Sequence, residues 1–473
     1  MAEGRVRGQR STKEPMAANF SASNSLAIGL QPRRRMSPRR SSFIVLFLLL
    51  SATLRAETLH LSLDDAVQSA LRRGTQTALA RSAEERARIA RSEALSGLLP
   101  QGEARLMRYS QSINLATFGF TIPGQPPVVG PFNVVDGQIA AAMQIFNLAA
   151  IRHYRAVQQS VTASRFATEQ AENDVAAAVA RLYLLARRAQ SQIGSREADL
   201  ELFERLQKVA EDEFAAGTST RLDVAQARLQ VARARQALLG ARNDRQNAVL
   251  ALLNAIGADE QDDVTLTEVW TPASAGPGPA EAGPNIAAAR ANRPELKEME
   301  AREREAMLAV GAARARLVPS LSLDFTGDMS GNHTDDMHWT RRIAGVVGVP
   351  LFHGDLNANI ARARAALHEV QIERAQRERD VEQDVRRALF TLQTASERAA
   401  VARESVRVAE EALTVARDRR TAGYGSPVEV DRAQDAYRQA REDVIAAEAD
   451  AAAAQFDLEH ATGRIRRYAE ARK

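Results

Sequence analysis

From Asn147 to Ala216 the chain carries no proline and a single glycine, Gly194, and from Asp355 to Ala422 it carries neither. Stretches this long without a helix breaker predict two continuous α-helices. At about 1.5 Å per residue each would run on the order of 100 Å, longer than a globular domain is wide. The expected molecule is therefore elongated and mainly helical. Heptad spacing agrees: Tyr154, Val157, Val161, Ala171, Val175, Ala178, Leu182, Leu185 and Ala189 follow a 3-4 pattern along the first stretch.

The chain is written twice. Ile145-Phe146 returns as Leu351-Phe352, Phe214-Ala215-Ala216-Gly217 as Arg420-Thr421-Ala422-Gly423, and Ala255-Ile256-Gly257 as Ala461-Thr462-Gly463, each 206 residues later. Leu98-Leu99-Pro100 returns as Leu317-Val318-Pro319 after 219 residues, and the extra 13 fall in the Gly/Pro-rich stretch from Gly119 to Pro131. The reading is a tandem duplication. A first repeat covers 57–262, a Pro/Gly-rich linker 263–284, a second repeat 285–465 and a tail 466–473. Each repeat reads helix, strand, loop, strand, very long helix, turn, long helix. Expected helices span 76–98, 149–215 and 221–256, then 287–317, 355–422 and 427–462. Expected strands span 102–113, 133–147, 319–328 and 340–352.

In the shorter helix of the first repeat, Val224, Val231, Leu238 and Leu252 alternate with Ala227, Ala234, Ala241, Ala248 and Ala255. Its duplicate sets Val430, Tyr437, Val444, Ala451 and Leu458 against Ala433, Ala440, Ala447, Ala454 and Ala461. A column of alanines at heptad spacing lets backbones approach closely. It fits helices wrapped side by side into a tube, and it fits an ordinary coiled coil with a small-residue stripe equally well. The turns between long and shorter helices carry Gly217 and Gly423, suited to a left-handed helix end. Three residues later come Thr220-Arg221-Leu222-Asp223 and Ser426-Pro427-Val428-Glu429, each a capping hydroxyl with an acid at the third helical position.

Four short segments break the helical pattern. Leu321, Leu323 and Phe325 share one strand face; Val135, Gly137, Ile139, Ala141, Met143 and Ile145 share another; Ile343, Val347, Val349 and Leu351 make a third. Gly102 to Ser112 is the weakest, because Arg105 and Arg108 fall on opposite faces. A half-buried soluble sheet accounts for any one segment alone. Together they flank loops at the end opposite the hairpin tips. The smallest outer-membrane barrels have about eight strands, so four cannot close one. An open edge in lipid would leave backbone groups unsatisfied at several kcal/mol each. Strands entering a membrane would therefore require copies of the chain to share a barrel, and three copies supply twelve.

Residues 1–56 hold ten Lys/Arg against two acids, which leaves −4 on the remainder of a chain whose total is +4. Net charge thus gives no support to nucleic-acid binding. Arg39 and Arg40 precede the apolar run Phe43–Leu50 and then Ser51 to Ala56, the layout of a secretory signal peptide with Met36 as the expected start. No later stretch is apolar enough for a transmembrane helix, which needs about 20 such residues. The absence of cysteine removes disulfides, thiolate metal sites and cysteine nucleophiles. No phosphate-binding loop, Gly-x-Ser-x-Gly elbow or His-Glu-x-x-His helix occurs, so no enzyme, cofactor or metal site is expected. His333-Thr334-Asp335-Asp336-Met337-His338 has no matching ligands elsewhere.

The sequence resembles the TolC family of outer-membrane efflux channels over nearly all of 57–465. The resemblance is carried by Leu61-Ser62-Leu63-Asp64-Asp65-Ala66, the Leu-Leu-Pro and Leu-Val-Pro before strands, Arg293-Pro294-Glu295-Leu296, Val349-Pro350-Leu351-Phe352-His353-Gly354, and the two tip motifs. It departs at Gln144, where the family often has proline. The resemblance implies a mainly α fold with a membrane β-barrel portion: a homotrimer whose tandem-duplicated hairpins form an α-barrel and whose four strands per chain join a shared twelve-stranded barrel. It implies location in the outer membrane with a long periplasmic extension, contact with outer-membrane lipid, and docking to a periplasmic adaptor fed by an inner-membrane transporter. The duct is passive in that scheme. The family's pore-constricting acid would fall at Glu429, with Asp431 beside it, whereas a second tip aspartate would fall on Arg432. Asp223 and Arg420 match positions that latch neighbouring hairpins in the closed tip. Gly217, Thr220, Gly423 and Ser426 would shape the adaptor contact. The plainer reading of these charged positions is a solvated helix surface. The rival for the whole chain is a soluble periplasmic coiled-coil scaffold or adaptor, which explains the heptads but not the paired strands or the full-length duplication.

Overall fold

The structure is a computed structural model, and it describes residues 59–120, 122–258, 264–267, 282–351 and 354–465. The expected leader and signal peptide, most of the 263–284 linker, Phe352-His353 and the 466–473 tail lie outside the described residues. The described elements belong to one unit, Ala56–Lys473. The first repeat contributes β1 (Leu59–Leu61), α1 (Leu63–Arg73), α2 (Thr75–Ser96), β2 (Gln101–Asn114), β3 (Val128–Phe146), α3 (Leu148–Ala215) and α4 (Arg221–Ile256). β4 (Val264–Leu266) lies within the expected 263–284 linker, α5 (Ala282–Asn292) begins at its end, and the second repeat goes on with α6 (Pro294–Ala315), β5 (Ser320–Gly331), β6 (His338–Gly348), α7 (Gly354–Thr421) and α8 (Pro427–Ala461).

The two long helices have 68 residues each, and the shorter ones 36 and 35. The single helix expected over 287–317 is instead two, α5 and α6, broken at Arg293-Pro294. Proline lacks the N–H that would continue the helix and drives the preceding residue out of the helical region; Arg293 sits at φ −67°, ψ 122°. The first repeat makes the same break with Gly74, where a Cβ would collide with the Ala70 carbonyl oxygen. Leu63 and Ala282, like Thr75 and Pro294, are separated by 219 residues, so the longer repeat offset extends to these helices.

β2, β3, β5 and β6 form one antiparallel sheet in that order, leaving β2 and β6 as open edges. β3 starts at Val128 rather than 133, because Val128 and Val129 pair with Asn114 and Ile113 beyond a register shift. β6 stops at Gly348 rather than 352, ahead of Pro350, which has no N–H for a ladder. β2 forms although its own alternation is weak, since β3 supplies a partner from Gln101 to Gln111 without interruption. A parallel pair, β1 with β4, was not expected from the sequence; it brings Leu59 opposite Val264.

Packing is densest where this small pair meets the helices. Leu63, Val67, Tyr183, Leu252, Leu253, Ile256, Val264 and Phe456 are buried together, and the Tyr183 hydroxyl donates to the Leu61 carbonyl at 3.2 Å. A second cluster joins α5, α7 and α8 through Ala289, Val381, Val385, Leu389, Ala454 and Leu458. Towards the tips only a small one remains, Ile193 with Leu238 and Ala241. Of the alanine columns, Ala234, Ala241, Ala248, Ala440, Ala454 and Ala461 are buried. There α3 lies against both α4 and α8, and α8 against α7, so α4 and α7 end the row.

Charges follow the same geometry. Arg228, Arg235 and Arg242 on α4 pair with Glu211, Glu204 and Glu197 on α3 at 2.9, 2.8 and 3.0 Å, one bridge per heptad. Arg403–Glu448 at 2.8 Å is the duplicate of Glu197–Arg242 with its charges exchanged. Between repeats, Arg181–Asp457 and Arg196–Glu442, both at 2.6 Å, tie α3 to α8.

Candidate functional site

Both hairpin tips end a long helix on a glycine in the left-handed region. Gly217 has φ +78° and Gly423 φ +79°. At the first tip the Gly217 N–H donates to the Phe214 carbonyl at 3.0 Å and the Thr218 N–H to the Glu213 carbonyl at 2.9 Å, the paired bonds that cap orphan carbonyls. At the second, the Gly423 N–H reaches the Arg420 carbonyl, and the Tyr424 and Gly425 N–H groups share the Arg419 carbonyl, all at 3.0 Å. Gly425 is a tip residue that the sequence reading missed. A Cβ there would sit 2.7 Å from the Arg420 nitrogen, so no larger residue fits.

The capping chemistry differs between the tips. Thr220 and Asp223 form the full reciprocal box: the Thr220 N–H donates to Asp223 Oδ2 at 2.8 Å, and the Asp223 N–H to Thr220 Oγ1 at 3.3 Å. Ser219 Oγ adds a bond to the same carboxylate at 3.0 Å. Ser426 instead accepts from the Val428 N–H at 3.3 Å, which leaves the Glu429 carboxylate out of the cap. The box expected at Ser426–Glu429 is therefore not made, and a single side-chain cap to the Val428 N–H stands in its place.

The charged tip residues are all solvent-exposed in one chain: Glu429, Asp431 and Arg432 on the first turns of α8, Asp223 on α4, and Arg420 at the end of α7. Asp223 and Arg420 do not close an ion pair among the described residues of the chain; the Thr220 N–H and the hydroxyls of Thr220 and Ser219 all bond to Oδ2 of the Asp223 carboxylate. Hydrogen bonds from the Thr220 backbone and hydroxyl, and then from Ser219, hold the Asp223 carboxyl below its ordinary range, with the field of Arg420 adding least. Asp431 is shifted the other way: desolvation pushes its carboxyl up, Arg420 opposes this and Asp435 adds to it. Arg420 thus acts on both acids at longer range than a salt bridge. Exposed apolar side chains at the tips, Leu222, Tyr424 and Val428, were also missed; Tyr424 and Val428 stand alone in a polar turn and carry no periodic signal.

The row of four helices and the sheet of four strands share one property: each stops at uncovered edges. On α7, Val401, Val408 and Val415 stand 67, 50 and 51% exposed at heptad spacing, and on α4 Leu222 and Leu229 do the same. β2 and β6 have unpaired ladders. No described helix is long and apolar enough to cross a membrane.

Comparison with known proteins assigns the class. The model of the outer membrane efflux protein family matches residues 66–258 and 285–464, once for each repeat. The chain belongs to that family, and its place is the outer membrane. The solvent efflux pump outer membrane protein SrpC of Pseudomonas putida is 28% identical over 267 residues, 51% of this chain and 55% of that protein. The outer membrane efflux protein BepC of Brucella suis is 26% identical over 276 residues, 57% of this chain and 59% of that one. The chain thus spans little more than half the length of these curated relatives. Among solved structures, the outer membrane channel CmeC of Campylobacter jejuni superposes with TM-score 0.73 at 18% identity, covering 85% of each chain. VceC of Vibrio cholerae gives TM-score 0.71 at 17% identity, covering 85% of this chain and 96% of that one. These likenesses show the same fold: hairpins of long helices joined to a small sheet.

Proposed function

We propose that the chain is one third of a passive trimeric exit duct of a tripartite efflux or type I secretion system, and not an enzyme. The observation that carries the reading is the doubled open edge. A row of helices ending in exposed apolar heptads on α4 and α7, and a sheet whose outer edges on β2 and β6 are open, are both completed when one copy's last element meets the next copy's first. Apolar stripes on both end helices would then be covered, as a coiled-coil seam requires. Ladder groups on both edge strands would be paired, as lipid requires.

In this reading the two repeats, 57–262 and 285–465, build one wall of the duct. The tips meet a periplasmic adaptor through the turns at Gly217–Thr220 and Gly423–Ser426, and an inner-membrane transporter feeds the adaptor. Glu429, Asp431 and Arg432 line the constriction, and Arg420 with Asp223 latches adjoining tips. Purified protein reconstituted into a planar bilayer is expected to give discrete conductance steps. A chain that stays soluble without detergent and conducts nothing would instead be the periplasmic scaffold.

A further inference from the structure

Pairing and alternation sort the sheet into two faces. Leu106, Ile139, Leu323, Phe325, Ile343 and Val347 share one, in rows set by pairs such as Ala104–Ile139 and Phe325–Ile343. Glu103, Asp136, Asp324 and Asp328 stand on the other, where Asp328 Oδ1 accepts from Gln138 Nε2 at 2.7 Å. Every second residue from Gly102 to Ser110, Asn133 to Met143, Leu321 to Gly331 and Trp339 to Val347 belongs to the apolar face, and none of them is Asp or Glu.

Two cations do belong to it, Arg108 on β2 and Arg341 on β6. Both are exposed, and neither closes an ion pair among the described residues. Arg341 is the fourth residue of β6 from its loop end, level with Gly327, Ile139 and Ala104, and Arg108, level with Val135 and Gly331, stands two rows further from the helices. Trp339 stands one row beyond Arg341 towards that end and folds its ring over Gly327, where a Cβ would collide with it. The rows below, towards the helices, are apolar throughout.

A guanidinium on a lipid-facing barrel surface is tolerated near the interface or where an anion meets it. Because every copy carries the same face, an adjoining copy brings no strand carboxylate to it. Arg108 and Arg341 also occupy the two open edges. In a barrel closed by joining β6 to β2, the Arg341 and Trp339 of one copy stand on the strand beside the Arg108 of the next, so each seam carries two cations on a face that holds no strand carboxylate. Resting on the shared-barrel reading, we propose that each such seam is a binding site for the phosphate groups of an outer-leaflet lipid headgroup. Arg108 and Arg341 supply the charge-assisted donors. Trp339 supplies the amphipathic ring at headgroup level.

The test is native mass spectrometry of the detergent-purified full chain titrated with lipid A carrying both phosphates. Lipid A stripped of phosphate and inorganic phosphate serve as the comparison probes. Arg108→Gln/Arg341→Gln is expected to retain about tenfold less of the phosphorylated lipid than wild type, a difference well within the resolution of affinity arithmetic. Arg342→Gln, on the opposite face, is expected to match wild type. Should the double variant fail to assemble, each single variant is expected to show intermediate retention. Equal retention by wild type and variants, equal retention of the phosphate-free lipid, or displacement by millimolar inorganic phosphate would overturn the assignment. A detergent-dependent trimer giving any of those results sinks this inference alone. A detergent-free soluble chain sinks the duct as well.

Discussion

Arg293→Ala is expected to be among the most damaging single substitutions in the helical part of the chain. Arg293 sits at the break between α5 and α6, its side chain 6% exposed. It reaches Glu295 Oε1 at 2.6 Å and Asp384 Oδ2 at 3.2 Å. The Glu295 side chain is 10% exposed, and its Oε2 is buried without a hydrogen-bond partner. Removing the arginine leaves that carboxylate buried and uncompensated, which costs about 3–5 kcal/mol. In a chain of this length a kcal/mol moves the melting temperature by no more than about 2 °C, so the expected fall is several degrees and at most about 10 °C. The double variant Arg293→Met/Glu295→Met removes both charges at similar volume and is expected to recover most of the loss. The assay is thermal melting of the detergent-solubilised particle at fixed protein concentration, with Arg407→Ala as the comparison. Arg407 and Glu404 are 65 and 60% exposed, and their loss is expected to leave the melt unmoved. An Arg293→Ala protein that melts with wild type, or a double variant that falls as far as the single, would refute the reasoning.

Asp199 offers a pH signature. Burial pushes its carboxyl up against the fields of Arg438, Arg196 and Arg441, and its Oδ2 has no hydrogen-bond partner. The folded state therefore holds this proton more tightly than the unfolded state, and wild-type stability falls as pH rises above the ordinary value of 3.8. Asp199→Asn is expected to melt higher than wild type at neutral pH, with the gap closing on acidification; a gap that widens in acid would contradict the assignment. Gly425→Ala, which would force a Cβ to 2.7 Å from the Arg420 nitrogen, is expected to weaken adaptor capture by the purified channel more than Gly194→Ala, where a Cβ meets nothing within 4 Å; equal capture would refute it. Arg420→Ala, which leaves the Thr220–Asp223 box intact, is expected to raise single-channel conductance, and unchanged conductance would remove Arg420 from the latch.

The parts legible in the sequence are those set by local periodicity. Long Pro-free runs, with Gly194 the one glycine between Asn147 and Ala216, mark α3 and α7, Gly217 and Gly423 mark the tips, and alternation around Leu323 and Ile139 marks β5 and β3. What escaped depends on partners distant in the chain. β1 and β4 have three residues each and find one another across some two hundred positions. β2 shows poor alternation and is held by β3. Arg293 reads as a surface arginine until Glu295 and Asp384 close on it. The α3–α4 charge ladder has heptad spacing but becomes visible only once the antiparallel register is known, and its counterpart in the second repeat exchanges Arg for Glu at Arg403 and Glu448. At the tips, Ser426 and Glu429 have the spacing of a capping box, yet the hydroxyl turns to the Val428 N–H instead.

The central claim is that copies of this chain complete each other's open edges in the outer membrane. Its most direct test is membrane fractionation, then detergent extraction and mass determination of the intact particle. The account predicts a particle that sediments with the outer membrane, needs detergent to stay in solution and weighs three mature chains. A monomer or dimer that stays soluble without detergent would mean that β2 and β6 never meet in a barrel, and would contradict it.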